Sequence, residues 1–326
     1  VSSSTGQFGP SADLFVAKIS STGTWSWATT AGGGGDDELG TGVAMASNGD
    51  AFVVGQINGS ATAGTHSVNG NGIDAFIGKI SSGGTWSWAT RGGGGNTDSA
   101  NGVSVDGSDN AYVVGFFGSD TNGATFGSTS LVAQGSSDVF VSKLSSTGTW
   151  SWTKSAGSAS GAVGGMGISH GSAGSYIVGQ MQGTVNFGSS VQATATSTCV
   201  DGFAALIDDA GSWQWASTAG GSGATLTILS AVGVNPAGGA VISGEAAKLT
   251  SDCASYDAGQ GSVNFGLISV SSMGYNDGVY AAIDSGGNWT DADSIGSAMM
   301  DNGRGAVVTS TGETVVTGRF CYGASG

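Results

Sequence analysis

The sequence repeats one pattern about every 60 residues, and this repetition limits the fold more than any other feature. Five segments align without a gap, and each opens on an aspartate: DLFVAKISSTGTWSW from Asp13, DAFIGKISSGGTWSW from Asp74, DVFVSKLSSTGTWSW from Asp138, DGFAALIDDAGSWQW from Asp201 and DGVYAAIDSGGNWTD from Asp277. A second block follows each of them, for example AFVVG ending at Gly55 and AYVVG ending at Gly115. Self-similarity at a fixed period indicates a repeat architecture.

Each repeat is predicted to form four short strands, which are separated by turn sequences such as Ser-Thr-Gly and Ser-Asn-Gly. Along the first strand, Phe15 and Ile19 lie on one face while Leu14 and Lys18 lie on the other. The tryptophans of each Trp-x-Trp pair are two residues apart, so we expect both to project from the same face.

The composition agrees with strands and excludes several other classes. With 63 glycines but only 2 prolines, the chain is neither helical nor collagen-like. Charged residues make up 10% and apolar residues 39%, so the chain can bury a core and is not a disordered segment. The apolar stretches are too short to cross a bilayer as a helix.

Four antiparallel strands with two fairly apolar faces are what a propeller blade requires, because each blade packs between two others. The last repeat is short, and residues 1–12 resemble the tail that ends the other repeats. We therefore predict one all-β domain, 1–326, a β-propeller of five four-stranded blades whose last blade is closed by the N- and C-terminal segments. The predicted repeats are 13–73, 74–137, 138–200, 201–276 and 277–326, the last completed by 1–12.

The repeated motifs D-x-F-V-A-K-I, Ser-x-Gly, the Trp segment, G-V-x-V-D and Y-V-V-G resemble the bacterial and archaeal β-propeller repeat family called SBBP, the seven-bladed-propeller-type repeat. The resemblance covers the whole chain and is clearest in the first three repeats. It differs in number, since five repeats are present here. The resemblance implies a secreted or cell-surface protein and supplies no catalytic residues.

A formal charge of −15 opposes binding to nucleic acid. The Trp pairs could stack on sugars, but their fixed register favours a role in the core between repeats. Lys18, Lys79 and Lys143 occupy one position of the repeat. They could form a basic cluster in the channel, although pairing of each lysine with a nearby aspartate is favoured.

The aspartate that opens each repeat could belong to a ring of carboxylates around a cation, or it could accept backbone N–H groups at the turn before the first strand, which is the favoured interpretation. The acidic stretches from Gly34 and Asp106 offer oxygen ligands for a structural calcium ion, but they lack the spacing of known calcium loops. We predict no cofactor and no metal site. The histidines, His66 and His170, occupy non-equivalent loops, so the sequence provides no support for an enzyme.

Three cysteines leave two interpretations open. A disulfide between Cys253 and Cys321 is plausible because they lie at similar places in neighbouring repeats, and three free thiols including Cys199 are the alternative.

We expect a noncatalytic β-propeller, secreted or on the surface of a cell or virus particle, that is a structural or adhesive module and contacts a protein partner or further copies of itself. The alternative is a carbohydrate-binding or carbohydrate-active propeller, and a fragment of a larger surface protein is compatible with the first interpretation. The connection from Glu245 to Asn276 is longer than its counterparts and is the predicted contact surface. The candidate contact residues are Tyr256, Phe265, Met273 and Tyr275.

Overall fold

The computed structural model describes residues 5–6, 9–10, 12–34, 37–120, 122–257, 259–272 and 274–321. This part of the chain is all-β and consists of several antiparallel sheets. It contains no helix, and therefore none that could span a membrane. By its internal contacts the chain divides into two compact units, Val1–Ser155 and Ala156–Gly326.

Among the described residues, fourteen strands begin in the first unit, and the last of them crosses into the second. They are β1 (Thr5–Gly6), β2 (Gly9–Pro10), β3 (Leu14–Ile19), β4 (Trp25–Gly33), β5 (Leu39–Met45), β6 (Ala51–Ala63), β7 (His66–Ile80), β8 (Trp86–Gly93), β9 (Asp98–Val105), β10 (Ala111–Gly118), β11 (Ala124–Phe126), β12 (Thr129–Leu131), β13 (Ser137–Leu144) and β14 (Trp150–Gly157).

The second unit contains the remaining fourteen strands. They are β15 (Val163–Gly171), β16 (Gly174–Met181), β17 (Thr184–Phe187), β18 (Val191–Thr194), β19 (Asp201–Ile207), β20 (Trp213–Gly220), β21 (Thr225–Val234), β22 (Ala240–Lys248), β23 (Gly261–Phe265), β24 (Ile268–Ser272), β25 (Asp277–Ile283), β26 (Trp289–Ile295), β27 (Asn302–Val308) and β28 (Thr314–Arg319).

The prediction of four strands in each repeat is confirmed. In the third repeat these are β13 to β16, and in the fourth they are β19 to β22. A short hairpin that the sequence analysis did not predict follows the fourth strand, namely β11–β12, β17–β18 and β23–β24. In the first repeat the end of β6 and the start of β7 take its place: they pair with each other, and the end of β6 also pairs with β4.

The sequence analysis assigned one four-stranded sheet to each repeat, but each four-stranded sheet combines strands from two successive repeats. The last two strands of one repeat pair with the first two of the next, as in β9–β10–β13–β14. We call this sheet B, and sheet A is β5–β6–β7–β8. In the second unit, sheet C is β15–β16–β19–β20 and sheet D is β21–β22–β25–β26. In the first repeat the fourth strand, β6, is followed directly by β7, the first strand of the next repeat, and in the second to fourth repeats the short hairpin and its loops lie between the two strands.

The offset leaves a two-stranded half-sheet near each end of the sequence, β3–β4 in the first unit and β27–β28 in the second. Near the N-terminus, β1 pairs with β2. The predicted pairing of residues 1–12 with the last repeat involves residues outside the described part and stays a prediction.

The glycine that ends each Y-V-V-G motif is required by a β-bulge. In sheet B the register between β10 and β9 shifts at Val114 and Gly115, and a Cβ at Gly115 would overlap the carbonyl oxygen of Ser99. At this position β10 thus lies too close to the backbone of β9 to leave room for a side chain. The equivalent glycines meet a backbone carbonyl in the same way, at Gly55, Gly179, Gly244 and Gly318.

Trp86 and Trp88 of the second repeat are packing residues between repeats, as predicted, whereas Trp25 of the first repeat is 68% exposed. The expectation that both tryptophans of a pair project from one face is wrong in the second repeat. A register shift opposite Ile80 separates Trp86 from Trp88 in the ladder of β8. Trp86 then packs edge-on against Phe76, while Trp88 packs edge-on against Phe52 in another cluster of the core. Because of the bulge, residues two apart lie on opposite faces.

Trp86 and Trp88 therefore reach different neighbouring repeats. The indole N–H of Trp86 donates to Thr30 O in the preceding repeat at 3.0 Å. That of Trp88 donates to Ser146 O in the following repeat at 3.2 Å, with the ring over Gly148. The pair connects three successive repeats by packing and hydrogen bonding.

Candidate functional site

The aspartate that opens the repeats is a turn-capping residue. Asp74 accepts the N–H of Asn71 at 2.7 Å, and Asp138 accepts that of Gln134 at 2.9 Å. Asp201 accepts the N–H of Ser197. The favoured interpretation of the sequence, an acceptor for backbone amides before the first strand, is confirmed at these three positions.

In the first unit, Asp98 lies beside Asp74, and both carboxylates border Gly93. Asp98 is 1% exposed and accepts the N–H groups of Gly94 and Gly118 at 2.7 and 3.0 Å. Burial raises the pKa of Asp98 to about 6, with further increases from the charges of Asp74 and Asp120. The sequence gives no indication of this pair, because the two residues belong to different strands.

Two of the repeated lysines form the predicted pairs with aspartates. Lys79 Nζ lies 3.1 Å from Asp50 and Lys143 Nζ lies 3.7 Å from Asp106. Each ammonium group also lies over an aromatic ring, that of Phe52 or Tyr112. Lys18 Nζ donates instead to Ser82 O at 3.3 Å. These lysines therefore connect repeats, and the pairs leave Lys79 and Lys143 mostly covered.

The acidic stretch from Asp106 forms a turn. One carboxylate oxygen of Asp106 accepts the N–H groups of Ser108 and Asn110, both at 2.9 Å, and the other faces Lys143. Hydrogen bonds from Asn110 lower the pKa of Asp106 despite the opposing effect of burial. In the stretch from Gly34, residues 35 and 36 lie outside the described part. Among the residues that the structure does describe, no group of three or more His, Cys, Asp or Glu could hold a metal ion.

A serine, a histidine and an aspartate come together in the second unit, which the sequence analysis did not foresee. His170 Nδ1 lies 3.0 Å from Ser175 Oγ, and His170 Nε2 lies 3.7 Å from Asp209. Ser175 is fully buried, so its hydroxyl cannot reach a substrate. This arrangement does not provide an activated nucleophile.

The connection of the fourth repeat differs most from its counterparts. Residues 249–260 separate β22 from β23, whereas residues 119–123 separate β10 from β11. The longer segment, which we call the inserted loop, is cross-linked by a disulfide between Cys253 and Cys199, with the Cα atoms 5.6 Å apart. Cys253 has a φ of 60°, a left-handed backbone conformation that is uncommon outside glycine.

The predicted pairing of Cys253 with Cys321 is wrong, and so is the alternative of three free thiols. Cys253 Sγ is bonded to Cys199 Sγ and lies 3.8 Å from the carbonyl oxygen of Thr198, the residue before Cys199. Cys321 is free and lies near Arg319 Nε at 3.1 Å, while its backbone N–H donates to Asp301. The bond to Cys199 occupies the sulfur of Cys253, so equivalent places in neighbouring repeats did not identify the partner.

The four predicted contact residues have different environments. Phe265 is fully buried against the edge of Trp289, so the prediction that it contacts a partner is wrong. Tyr275 is 39% exposed and Tyr256 is half-buried. Burial and the charge of Glu245 raise the pKa of Tyr256. Met273 lies outside the described residues.

The inserted loop borders a polar groove of about 710 Å³. Lys248 and Asp257 form an ion pair of 3.0 Å there, and both side chains are about two-fifths exposed. Hydrogen bonding by Gly259 and Lys248 lowers the pKa of Asp257. Gln260 and Thr250 also line the groove. The inserted loop therefore lies beside an accessible groove that contains an ion pair.

Comparisons with known proteins assign no family to the chain. No protein-family model and no curated protein matches the chain. A crystal structure of a protein from Lactobacillus plantarum is similar over 97% of this chain and 94% of that chain, with 10% identity and a TM-score of 0.34.

Proposed function

We propose that the chain is a noncatalytic β-propeller of the SBBP repeat type with five blades, a secreted or particle-surface structural module that assembles through the inserted loop. The observation that carries this proposal is the disulfide-linked inserted loop, which the shared repeat pattern does not need. Disulfides are typical of oxidising compartments, which supports a location outside the cytoplasm.

Unequal exposure of equivalent residues supports a closed ring. Phe15 is 72% exposed and Ile19 is 51% exposed, whereas their counterparts in the third repeat, Phe140 and Leu144, are fully buried. The half-sheet β27–β28 holds the first two strands of a sheet, and β3–β4 holds the last two. Their union would give a fifth four-stranded sheet, cover these side chains and remove two exposed edges.

The register of the existing sheets defines a test of closure. Val113 lies opposite Ser142 in sheet B, and the equivalent pair in the closing sheet is Val316 with Ala17. In a Cys321→Ser background, Val316→Cys with Ala17→Cys should form a disulfide within the monomer. The control, Val316→Cys with Val16→Cys, places the thiols on opposite faces and should not. Cross-linking only between copies, or none, would contradict the ring.

The inserted loop is the proposed contact surface because its length exceeds what the connection requires and because its conformation is fixed. The disulfide limits the loss of conformational entropy on binding, since the loop is ordered before it meets a partner. The accessible ion pair of Lys248 with Asp257 beside the loop supplies polar groups of the kind found in the rim of an interface.

The test replaces the residues between β22 and β23 by those between β10 and β11, in a Cys199→Ser background that avoids an unpaired thiol. Sedimentation velocity should show assemblies of the full chain and a folded monomer for the shortened chain. Cys199→Ser with Cys253→Ser, at the original loop length, separates the loss of the cross-link from the loss of the loop. A shortened chain that assembles like the original, or an original that stays monomeric, would refute the assembly role.

A further inference from the structure

A second groove in the second unit is distinct from the inserted loop. It has a volume of about 490 Å³, within the range of small-ligand sites. Its walls come from the hairpin β17–β18, the middle of β20, the turn of the hairpin β23–β24 and the start of β26. The larger side chains that line it are Gln192, Leu267, Asn288 and Trp289.

Three of these positions differ from their equivalents elsewhere in the chain. Leu267 follows the glycine of the hairpin turn, where the second and third repeats have Ser128 and Ser189. Asn288 precedes the first tryptophan of its repeat, where the second has Thr85. Gln192 stands where the hairpin of the second repeat has Ser130. In a repeat protein, residues common to all repeats serve the shared fold, so departures that converge on one groove point to a separate role.

A leucine in an exposed turn leaves apolar surface in contact with water, which is unfavourable unless a partner covers it. The side chain of Leu267 is completely exposed, at 105% of the reference area, whereas the core of the same hairpin is buried at Phe265 and Val270. Trp289 beside it is half-buried, and its indole N–H donates to Thr218 O at 3.0 Å. The ring is held against Phe265 at a centroid distance of 5.0 Å. The apolar part of the groove is therefore preformed.

The polar part of the groove is also fixed in place. Gln192 donates from its amide nitrogen to Asn186 at 2.8 Å, and Asn288 donates from its amide nitrogen to Asp284 at 3.0 Å. These bonds occupy the amide nitrogens and leave the amide oxygens as acceptors for a ligand. The side chains that line the groove are uncharged, although the chain carries a net charge of −15.

We propose that this groove binds a neutral oligosaccharide. A pyranose ring has an apolar face and a rim of hydroxyl groups, which matches Leu267 and Trp289 on one side and the amide oxygens of Gln192 and Asn288 on the other. An ionic ligand would find no counter-charge in the lining. The proposal goes beyond the assembly role and depends neither on closure nor on the inserted loop.

The experiment titrates the full chain by calorimetry with neutral oligosaccharides of glucose, mannose, galactose and N-acetylglucosamine at millimolar concentration. The variant Leu267→Ser with Asn288→Thr restores the residues found at equivalent positions. It should retain the melting temperature and weaken binding at least about tenfold, because it removes the apolar contact and one acceptor. The control Ser128→Leu exposes a leucine at the equivalent turn of the second repeat and should leave the affinity unchanged.

Two results would overturn the proposal. One is that none of these oligosaccharides binds, including the case in which an unstructured peptide binds in their place. The other is that Leu267→Ser with Asn288→Thr binds a saccharide as tightly as the original chain, since the sugar then occupies a different site. Both results are obtained with the inserted loop intact, so failure of saccharide binding can be distinguished from failure of the assembly proposal.

Discussion

Stability should depend on pH through the buried carboxyl of Asp98. Its pKa is raised to about 6 from an ordinary value of 3.8 by burial, and by the charges of Asp74 and Asp120. A raised pKa means that the folded state favours the protonated form. The contribution of Asp98 to stability is therefore complete below about pH 4 and is lost as the pH rises through about 6. The gap between the two values corresponds to about 3 kcal/mol.

Asp98→Asn tests this linkage because asparagine stays neutral and keeps one acceptor for the N–H groups of Gly94 and Gly118. The free energy of unfolding, measured by urea titration, should shift in favour of the variant by up to about 3 kcal/mol between pH 4 and pH 7.5. The lost hydrogen bond adds an offset that does not depend on pH. Asp120→Asn should lower the pKa of Asp98 and so reduce the pH dependence of the parent protein. A difference between Asp98→Asn and the parent that stays constant over this range would refute the argument.

Three further perturbations follow from the packing. Replacing Cys199 and Cys253 by serine should lower the free energy of unfolding by about 4 kcal/mol, because 54 residues separate the cysteines; an unchanged urea midpoint would contradict this. Trp88→Ala should cost about 3 to 5 kcal/mol, and a variant that kept its melting temperature would contradict a core role. Gly115→Ala should lower the free energy of unfolding by about 3 kcal/mol because the added Cβ meets a backbone carbonyl. The control Gly107→Ala has open space around it and should melt like the parent. Equal melting temperatures of the two variants would contradict the role of Gly115 in the bulge.

Features that depend on neighbours in sequence could be predicted. The strands follow from alternation between turn motifs, and the capping role of Asp138 follows because its amide donor is only four residues away. The pairing of Lys79 with an aspartate was also predicted, although the identity of that aspartate, Asp50, was not. The strands and the capping aspartates require no knowledge of which strands share a sheet, whereas the choice of Asp50 depends on the pairing of β6 with β7.

Features that depend on which elements meet in space could not be predicted. One bulge at the level of Ile80 reverses the faces of Trp86 and Trp88, and an alternating pattern contains no sign of it. The partner of Cys253 depends on distance in three dimensions, so an argument from equivalent places in the repeat chose Cys321 in error. The groove around Leu267 was missed because its walls come from separate repeats.

The offset between repeat and sheet has a consequence for how such a chain can lengthen by gene duplication. A duplicated segment that runs from one aspartate to the next adds the second half of one sheet and the first half of another. Each new copy thus shares one sheet with the repeat before it and another with the repeat after it, and no copy must be stable alone. A proteolytic cut at a repeat boundary, by the same geometry, falls inside a hydrogen-bonded sheet, so the pieces would stay together until the backbone ladder melts.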